Sequence, residues 1–269
     1  MKLLDVENLA ISLLNPERVL LQGVSFDLER GGRLGLIGES GSGKSITALS
    51  LLGLLPESMR ASGRITIAGV NVIGSSEREL TAIRGARAAM IFQEPLSALD
   101  PLMRVGRQIA GPLRLHQGLS GAAARREVFS LLDRVRLSDH ERIYNSFPHE
   151  LSGGQRQRVA LAMALGCESE LLIADEPTTA LDVTVQAEVL SLLDELVTSE
   201  GMALLFITHD LPVISRITRR LLVMQDGRIV ESGTTAKILS SPAHPYTAGL
   251  LESARRVTAV PYVRGAGTQ

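Results

Sequence analysis

Short apolar runs punctuate this chain, and between them the apolar residues shift to helical spacing. Leu34–Ile37, Ala88–Phe92, Glu170–Asp175 and Met202–Ile207 are apolar through their centres, as strands buried on both faces of a parallel sheet require. Leu3–Leu13 and Val19–Leu28 read as two further strands with a turn at Asn15-Pro16, and Gly63–Val70 alternates as a short one. The spacing predicts helices after Lys44, over 77–84, over Ser120–Arg136 with Leu131, Leu132 and Val135 on one face, over Gly153–Leu165 and Val183–Thr198, and after His209-Asp210. The stretch 95–149 opens as a loop, turns helical and contains nothing strand-like, so it reads as a helical insert. Residues 220–232 read as a hairpin turning at Asp226-Gly227. From Thr258 periodicity is lost and a loosely ordered tail is expected. Strands alternating with helices predict an α/β fold with a parallel sheet.

Composition narrows the function. The 269 residues are enough for one large domain or two small ones, and 45% are hydrophobic. A formal net charge of −1 argues against a general affinity for nucleic acid or anionic lipid. Cys167 is the single cysteine, which removes disulfide frameworks and cysteine-based metal sites. No apolar run approaches the ~18–20 residues of a membrane span, and no signal-peptide pattern opens the chain. The expectation is a cytosolic protein whose contact with a membrane runs through a partner.

The chemistry concentrates where the first buried strand ends. Gly38, Gly43, Lys44 and Ser45 fit G-x-x-x-x-G-K-[ST], with the strand before and the helix after that a phosphate-binding loop requires. Glycines at 38, 41 and 43 let backbone N–H groups approach phosphate oxygens, and the helix beginning near Lys44 turns its positive end toward the same oxygens. Lys44 is one of only three lysines, with Lys2 and Lys237, in an otherwise Arg-based chain. It supplies a point charge for β- and γ-phosphates, and the Ser45 hydroxyl is a Mg²⁺ ligand. At the end of a second buried strand, Asp175 is placed to hold Mg²⁺, and Glu176 to polarise a water. Leu151–Gln155 reads LSGGQ at a helix start, where Ser152 and the N–H groups of Gly153 and Gly154 form a second, weaker anion-binding terminus.

These motifs, in this order, resemble the ABC-type ATPases from residue 3 to about 252. The resemblance implies a P-loop NTPase of ABC type, with a RecA-like parallel-sheet core, an N-terminal antiparallel β subdomain, a helical subdomain at about 95–166 and a tail over 253–269. It implies that Gly38, Glu39, Ser40, Gly41, Ser42, Gly43, Lys44, Ser45 and Ile46 bind ATP as the Walker A loop. Gln93 is the Q-loop glutamine, with Ser45 and Asp175 toward Mg²⁺. Glu176 is the catalytic glutamate and His209 the switch histidine. Leu151, Ser152, Gly153, Gly154 and Gln155 form the signature, and Asp182 belongs to the D-loop Ala180-Leu181-Asp182. Two such domains pack head to tail around ATP, and their opening drives a transmembrane partner.

The segments QEPLSALDPLMRVGRQI, DEPTTALDVTVQAEVL and SSPAHPYTAGLL further resemble ATPase subunits of oligopeptide, dipeptide and nickel importers. The implied partners are two transmembrane permease subunits, a second ATPase subunit that is identical or homologous, and, indirectly, an extracytoplasmic substrate-binding protein. No nucleic acid is expected, and the implied location is the cytoplasmic face of the cell membrane. Glu94, Leu96 and Leu99 are expected to face the permease. Leu13 stands where many relatives stack an aromatic on adenine, and the cysteine cluster that some relatives carry after HPYT is absent. Peptide is the first choice of cargo, with nickel or a metal chelate as the alternative. A soluble non-transport ATPase of the same type fits less well, because no second cassette, long coiled-coil insertion or basic linker is present.

Overall fold

The computed structural model describes residues 1–93, 98–178 and 181–259. The apolar runs become β3 (Arg33–Ile37), β6 (Ala88–Ile91), β7 (Leu171–Asp175) and β8 (Ala203–Ile207). With the hairpin β9 (Arg220–Gln225) and β10 (Arg228–Thr234) they form one six-stranded sheet in the order β10-β9-β3-β8-β7-β6. Every pairing is parallel except that of β10 with β9. All five residues of β7 and of β8 are buried, and successive side chains serve opposite faces. Leu204 and Phe206 join the apolar core on one face, while Ala203, Leu205 and Ile207 join the core on the other. That double burial is why the sequence shows continuous apolar runs rather than alternation.

The second sheet is antiparallel, in the order β2-β1-β4-β5, from β1 (Lys2–Leu14), β2 (Glu17–Glu29), β4 (Met59–Ile67) and β5 (Val70–Asn71). Here the expected Gly63–Val70 strand shifts at both ends. β4 starts at Met59 because it pairs along β1 from Leu13↔Met59 to Leu4↔Ile67. It stops at Ile67 because Ala68 and Gly69 turn at φ 49° and 84°, which hands Val70 to β5.

Helices α1 (Lys44–Leu51) and α2 (Glu77–Ile83) lie on the antiparallel-sheet side. α3 (Val105–Gln117), α4 (Gly121–Arg134), α5 (His140–Asn145) and α6 (Gly153–Leu165) form the helical insert. Among the described residues from 98 to 166 it contains no strand. Its apolar stripes, including Val128, Leu131 and Leu132 of α4, close on the same core as β7 and β8. α7 (Val183–Ser199), α8 (Leu211–Ile217), α9 (Thr235–Ser240) and α10 (Pro245–Ala259) complete the chain. α10 spans the expected domain end at 252 and Thr258. Residues 260–269 lie outside the described residues.

The parallel register fixes the site. β3, β6, β7 and β8 run the same way and deliver Gly38, Gln93, Asp175-Glu176 and His209 beyond their carboxyl ends, at one edge of the sheet.

Candidate active site

The loop from Gly38 to Gly43 leaves β3 and enters α1. Gly41 and Gly43 have φ of 83° and 107°, left-handed backbone that favours glycine. A Cβ at Gly38 would sit 2.2 Å from the Met224 carbonyl oxygen, so the loop passes hard against the end of β9. No side chain caps the first turn of α1, which leaves its N–H groups for an anion. Lys44 is 6% exposed, and its Nζ donates to the carbonyl oxygens of Gly38 at 2.9 Å and Glu39 at 3.0 Å. An ammonium has three N–H donors, so one is left for a phosphate. Burial pulls Lys44 below the ordinary lysine value, against the opposing fields of Glu176 and Asp175.

Asp175 ends β7 at 3% exposure. Burial raises its carboxyl above the ordinary aspartate value; the Ser45 hydroxyl bond opposes this, Glu176 adds to it and Lys44 opposes it. Among the described residues its Oδ1 has no hydrogen-bond partner, an arrangement that costs free energy until a cation or donor arrives. A hard cation held by one carboxylate, one hydroxyl and ligand oxygens matches this donor set. Among the described residues there is no group of three or more His, Cys, Asp or Glu side chains able to hold a metal. Any ion at Asp175 therefore takes most of its ligands from elsewhere.

Glu176 follows at φ 46°, a left-handed conformation that strains a non-glycine residue. Its backbone N–H donates to the Ile207 carbonyl at 2.9 Å, so the end of β8 holds the turn. His209 Nδ1 lies 3.1 Å from Glu176 Oε2, with the histidine 65% exposed and the glutamate 12%. Gln93, just past β6, is exposed at the same sheet edge.

The LSGGQ residues lie at the start of α6, in the helical insert. Leu151 is buried, and Ser152 and Gln155 cap each other: the Gln155 N–H donates to Ser152 Oγ at 3.3 Å and the Ser152 N–H to Gln155 Oε1 at 3.0 Å. A Cβ on Gly154 would lie 2.5 Å from Val185 Cγ1, so α6 seats directly on α7. Asp182 caps α7 through the Val185 N–H at 3.0 Å; Ala180 lies outside the described residues. Ile46 is partly buried on α1, and Leu13 is partly buried beside the β1–β2 turn, opposite Arg18 and Met59.

Three site contacts escaped the sequence. Gln186 of α7 donates to Asp210 Oδ2 at 3.2 Å and so links α7 to the turn that carries His209. The Gly227 N–H donates to the Ser42 carbonyl at 3.0 Å. The Glu39 N–H donates to Tyr246 Oη at 2.9 Å. Each joins segments far apart in the chain, and no local pattern announces it. One expectation is corrected: Leu99, expected to face outward, is 3% exposed in the helical-side core. Glu94 and Leu96 lie outside the described residues.

A P-loop, a strand-end Asp-Glu pair and a histidine on one parallel-sheet edge, with a glycine-rich helix start on a helical insert, define an ATP-binding cassette. Comparison with known proteins agrees. The family model described as ABC transporter matches residues 21–179, and the one described as oligopeptide/dipeptide transporter, C-terminal region, matches 230–264. A probable peptide ABC transporter ATP-binding protein of Sinorhizobium fredii is 48% identical over 93% of this chain and 76% of its own. The oligopeptide transport ATP-binding protein OppD of Salmonella typhimurium is 45% identical over 95% and 77%. A solved ATP-binding cassette, a dimer in a post-hydrolysis state bound to ADP and phosphate, superposes with TM-score 0.77 at 26% identity, covering 86% of this chain and 98% of that one. The chain belongs to the ABC transporter family and is an ATPase.

Proposed function

We propose that this chain is the ATP-hydrolysing subunit of an importer for peptides. In this reading it works on the cytoplasmic face of the cell membrane with two permease subunits and a second ATP-binding subunit, fed by an extracytoplasmic binding protein. The observation that carries the reading is the convergence of Lys44, Asp175, Glu176 and His209 at the carboxyl edge of the sheet. Lys44 and the uncapped N–H groups of α1 bind the ATP phosphates. Ser45, Asp175 and Gln93 would hold Mg²⁺, which when bound neutralises charge on the phosphate oxygens. Glu176 polarises the attacking water, and His209 holds the Glu176 carboxylate in place. Ser152 and the glycines after it, with Asp182, meet the ATP of the second subunit. The dimeric state of the solved cassette supports that pairing.

Among the described residues no helix is long and apolar enough to cross a membrane. An apolar groove of about 230 Å³ lies between the sheet and the helical insert, lined by Leu54, Met90, Phe92, Ala98, Met163 and Cys167. A permease helix is the occupant we assign, because Phe92 leads directly into Gln93 and an object in the groove adjoins the nucleotide edge. Peptide as cargo rests on the names of the relatives and on the C-terminal family match.

Affinity purification from native membranes tests the reading. Two multi-span permeases and an ATP-binding partner should copurify, and the complex in liposomes should import peptide on ATP. Met163→Arg, which places a long cation in the groove, should lose the permeases and keep ATP binding. Ribosomal or DNA partners in place of permeases overturn the transport reading, and import of nickel or a metal chelate instead of peptide overturns the cargo.

A further inference from the structure

The phosphate-binding loop is held from outside by the C-terminal part of the chain. Three glycines make this loop flexible when free, and the cost of ordering it falls on ATP binding unless something orders it first. Two of its restraints come from Lys44, whose bonds to Gly38 and Glu39 compete with the phosphates for the same ammonium. One lies within the loop, the Ser42 N–H on the Glu39 carbonyl at 3.2 Å, and two reach it from outside without competing: the Gly227 N–H on the Ser42 carbonyl, and the phenol oxygen of Tyr246, which accepts the Glu39 N–H at 2.9 Å.

Tyr246 is itself anchored. The Glu231 carboxylate of β10 accepts the N–H groups of Ala243 at 2.8 Å and His244 at 3.1 Å, which fixes the start of α10. The Tyr246 N–H donates to His244 Nδ1 at 3.2 Å, and the ring packs against the helical-side core. Both of these restraints from outside the loop thus belong to the single segment β9–β10–α10.

We propose that Tyr246 is a positioning residue for ATP binding, holding the Glu39 peptide so that the phosphate-binding loop is already ordered before nucleotide arrives. The proposal rests on the reading of residues 38–45 as the ATP loop. It gives the histidine–proline–tyrosine–threonine segment a task in the nucleotide site, and it makes ATP affinity depend on how firmly the C-terminal segment is seated.

Tyr246→Phe keeps the ring and deletes only the acceptor. In the whole chain, the Kd for MgATP should rise about fivefold, the size of one ordinary hydrogen bond. The kcat of the assembled transporter should stay within about twofold, since the loop, once filled, is ordered by the phosphates. In the nucleotide-free chain the Glu39 amide should exchange hydrogen faster, with exchange in α6 unchanged. An unaltered Kd with unaltered Glu39 exchange overturns the proposal. So does a weaker Kd accompanied by faster exchange throughout, which reports damage to the fold. Glu231→Gln weakens the anchor and should shift Kd and Glu39 exchange in the same direction by less. It decides the matter if Tyr246→Phe fails to fold, and no shift then overturns the proposal. Lys44→Ala separates the two levels. If that variant still binds ATP, the loop reading fails; if it loses ATP while Tyr246→Phe is unaltered, only the role of Tyr246 fails.

Discussion

The phosphate-binding loop and the LSGGQ segment both bring glycine-rich backbone to a helix N-terminus, but they use glycine for different reasons. In the first, Gly41 and Gly43 adopt left-handed backbone that exposes consecutive N–H groups to a ligand. In the second, the glycines are helical, and Gly154 is required because α7 leaves no room for a Cβ. The start of α1 is uncapped and faces a buried lysine and an orphaned carboxylate oxygen. The start of α6 is capped by the exposed Ser152. One wall is complete and waits for phosphate. The other is finished as a local structure, and in the proposed function it meets a nucleotide held by a second subunit. That asymmetry is what the proposed two-chain site requires, and it can be broken one wall at a time.

The largest effect belongs to the complete wall. Lys44→Ala removes the ammonium of the site, together with its bonds to the Gly38 and Glu39 carbonyls, and leaves the Glu39 carbonyl only the Ser42 N–H at 3.2 Å. Loss of one charge-assisted contact costs about 1.5–3 kcal/mol, so ATP affinity should fall at least tenfold and ATPase activity should vanish. Equilibrium binding of a fluorescent ATP analogue and phosphate release by the purified variant check this. Turnover near the wild-type rate would refute the assignment of the loop.

How far these walls could be read in advance follows from the range of the interactions. The P-loop, the strand-end acids and the buried strands are local patterns set by covalent spacing, and β3, β7 and β8 lie where their apolar runs stand. The edges of β4 were not legible, because partner β1 sets them through a register that begins at Leu13. Leu99 looked like one more residue of an outward-facing loop, but the helical insert folds back over it. Tyr246 and Gly227 reach the P-loop from the far end of the chain, and only the assembled sheet brings them there. Short-range chemistry was visible; restraint of that chemistry by distant segments was not.

A smaller and more selective loss should come from Glu176→Gln. The amide keeps size and most hydrogen bonding but cannot accept a proton, and removal of a general base costs roughly 10²–10⁴ in rate. ATP should bind within a fewfold of wild type and persist. Binding that is linked to association then holds the pair together, so size-exclusion chromatography should show an ATP-dependent complex that dissolves with ADP. If the natural partner is a homologous ATPase, the mixed pair is the species to test, with the partner's equivalent glutamate also changed. Normal hydrolysis by that pair, or no association at saturating MgATP, would remove Glu176 from its assigned role.

The smallest effect on the single chain, and the sharpest test of the asymmetry, is Ser152→Arg. Among the described residues the hydrogen bonds of Ser152 go to Gln155, capping α6, so ATP affinity of the isolated chain should stay within about twofold. In the Glu176→Gln background the ATP-dependent complex should nevertheless disappear, because a bulky cation occupies the surface that meets the second subunit's nucleotide. Loss of the cap itself costs about 1 kcal/mol, which Ser152→Ala isolates: it should fray α6 to the same degree and weaken the complex without abolishing it. If Ser152→Arg lowers the ATP affinity of the isolated chain as far as Lys44→Ala does, the two walls serve one nucleotide within one chain, and the division between them collapses.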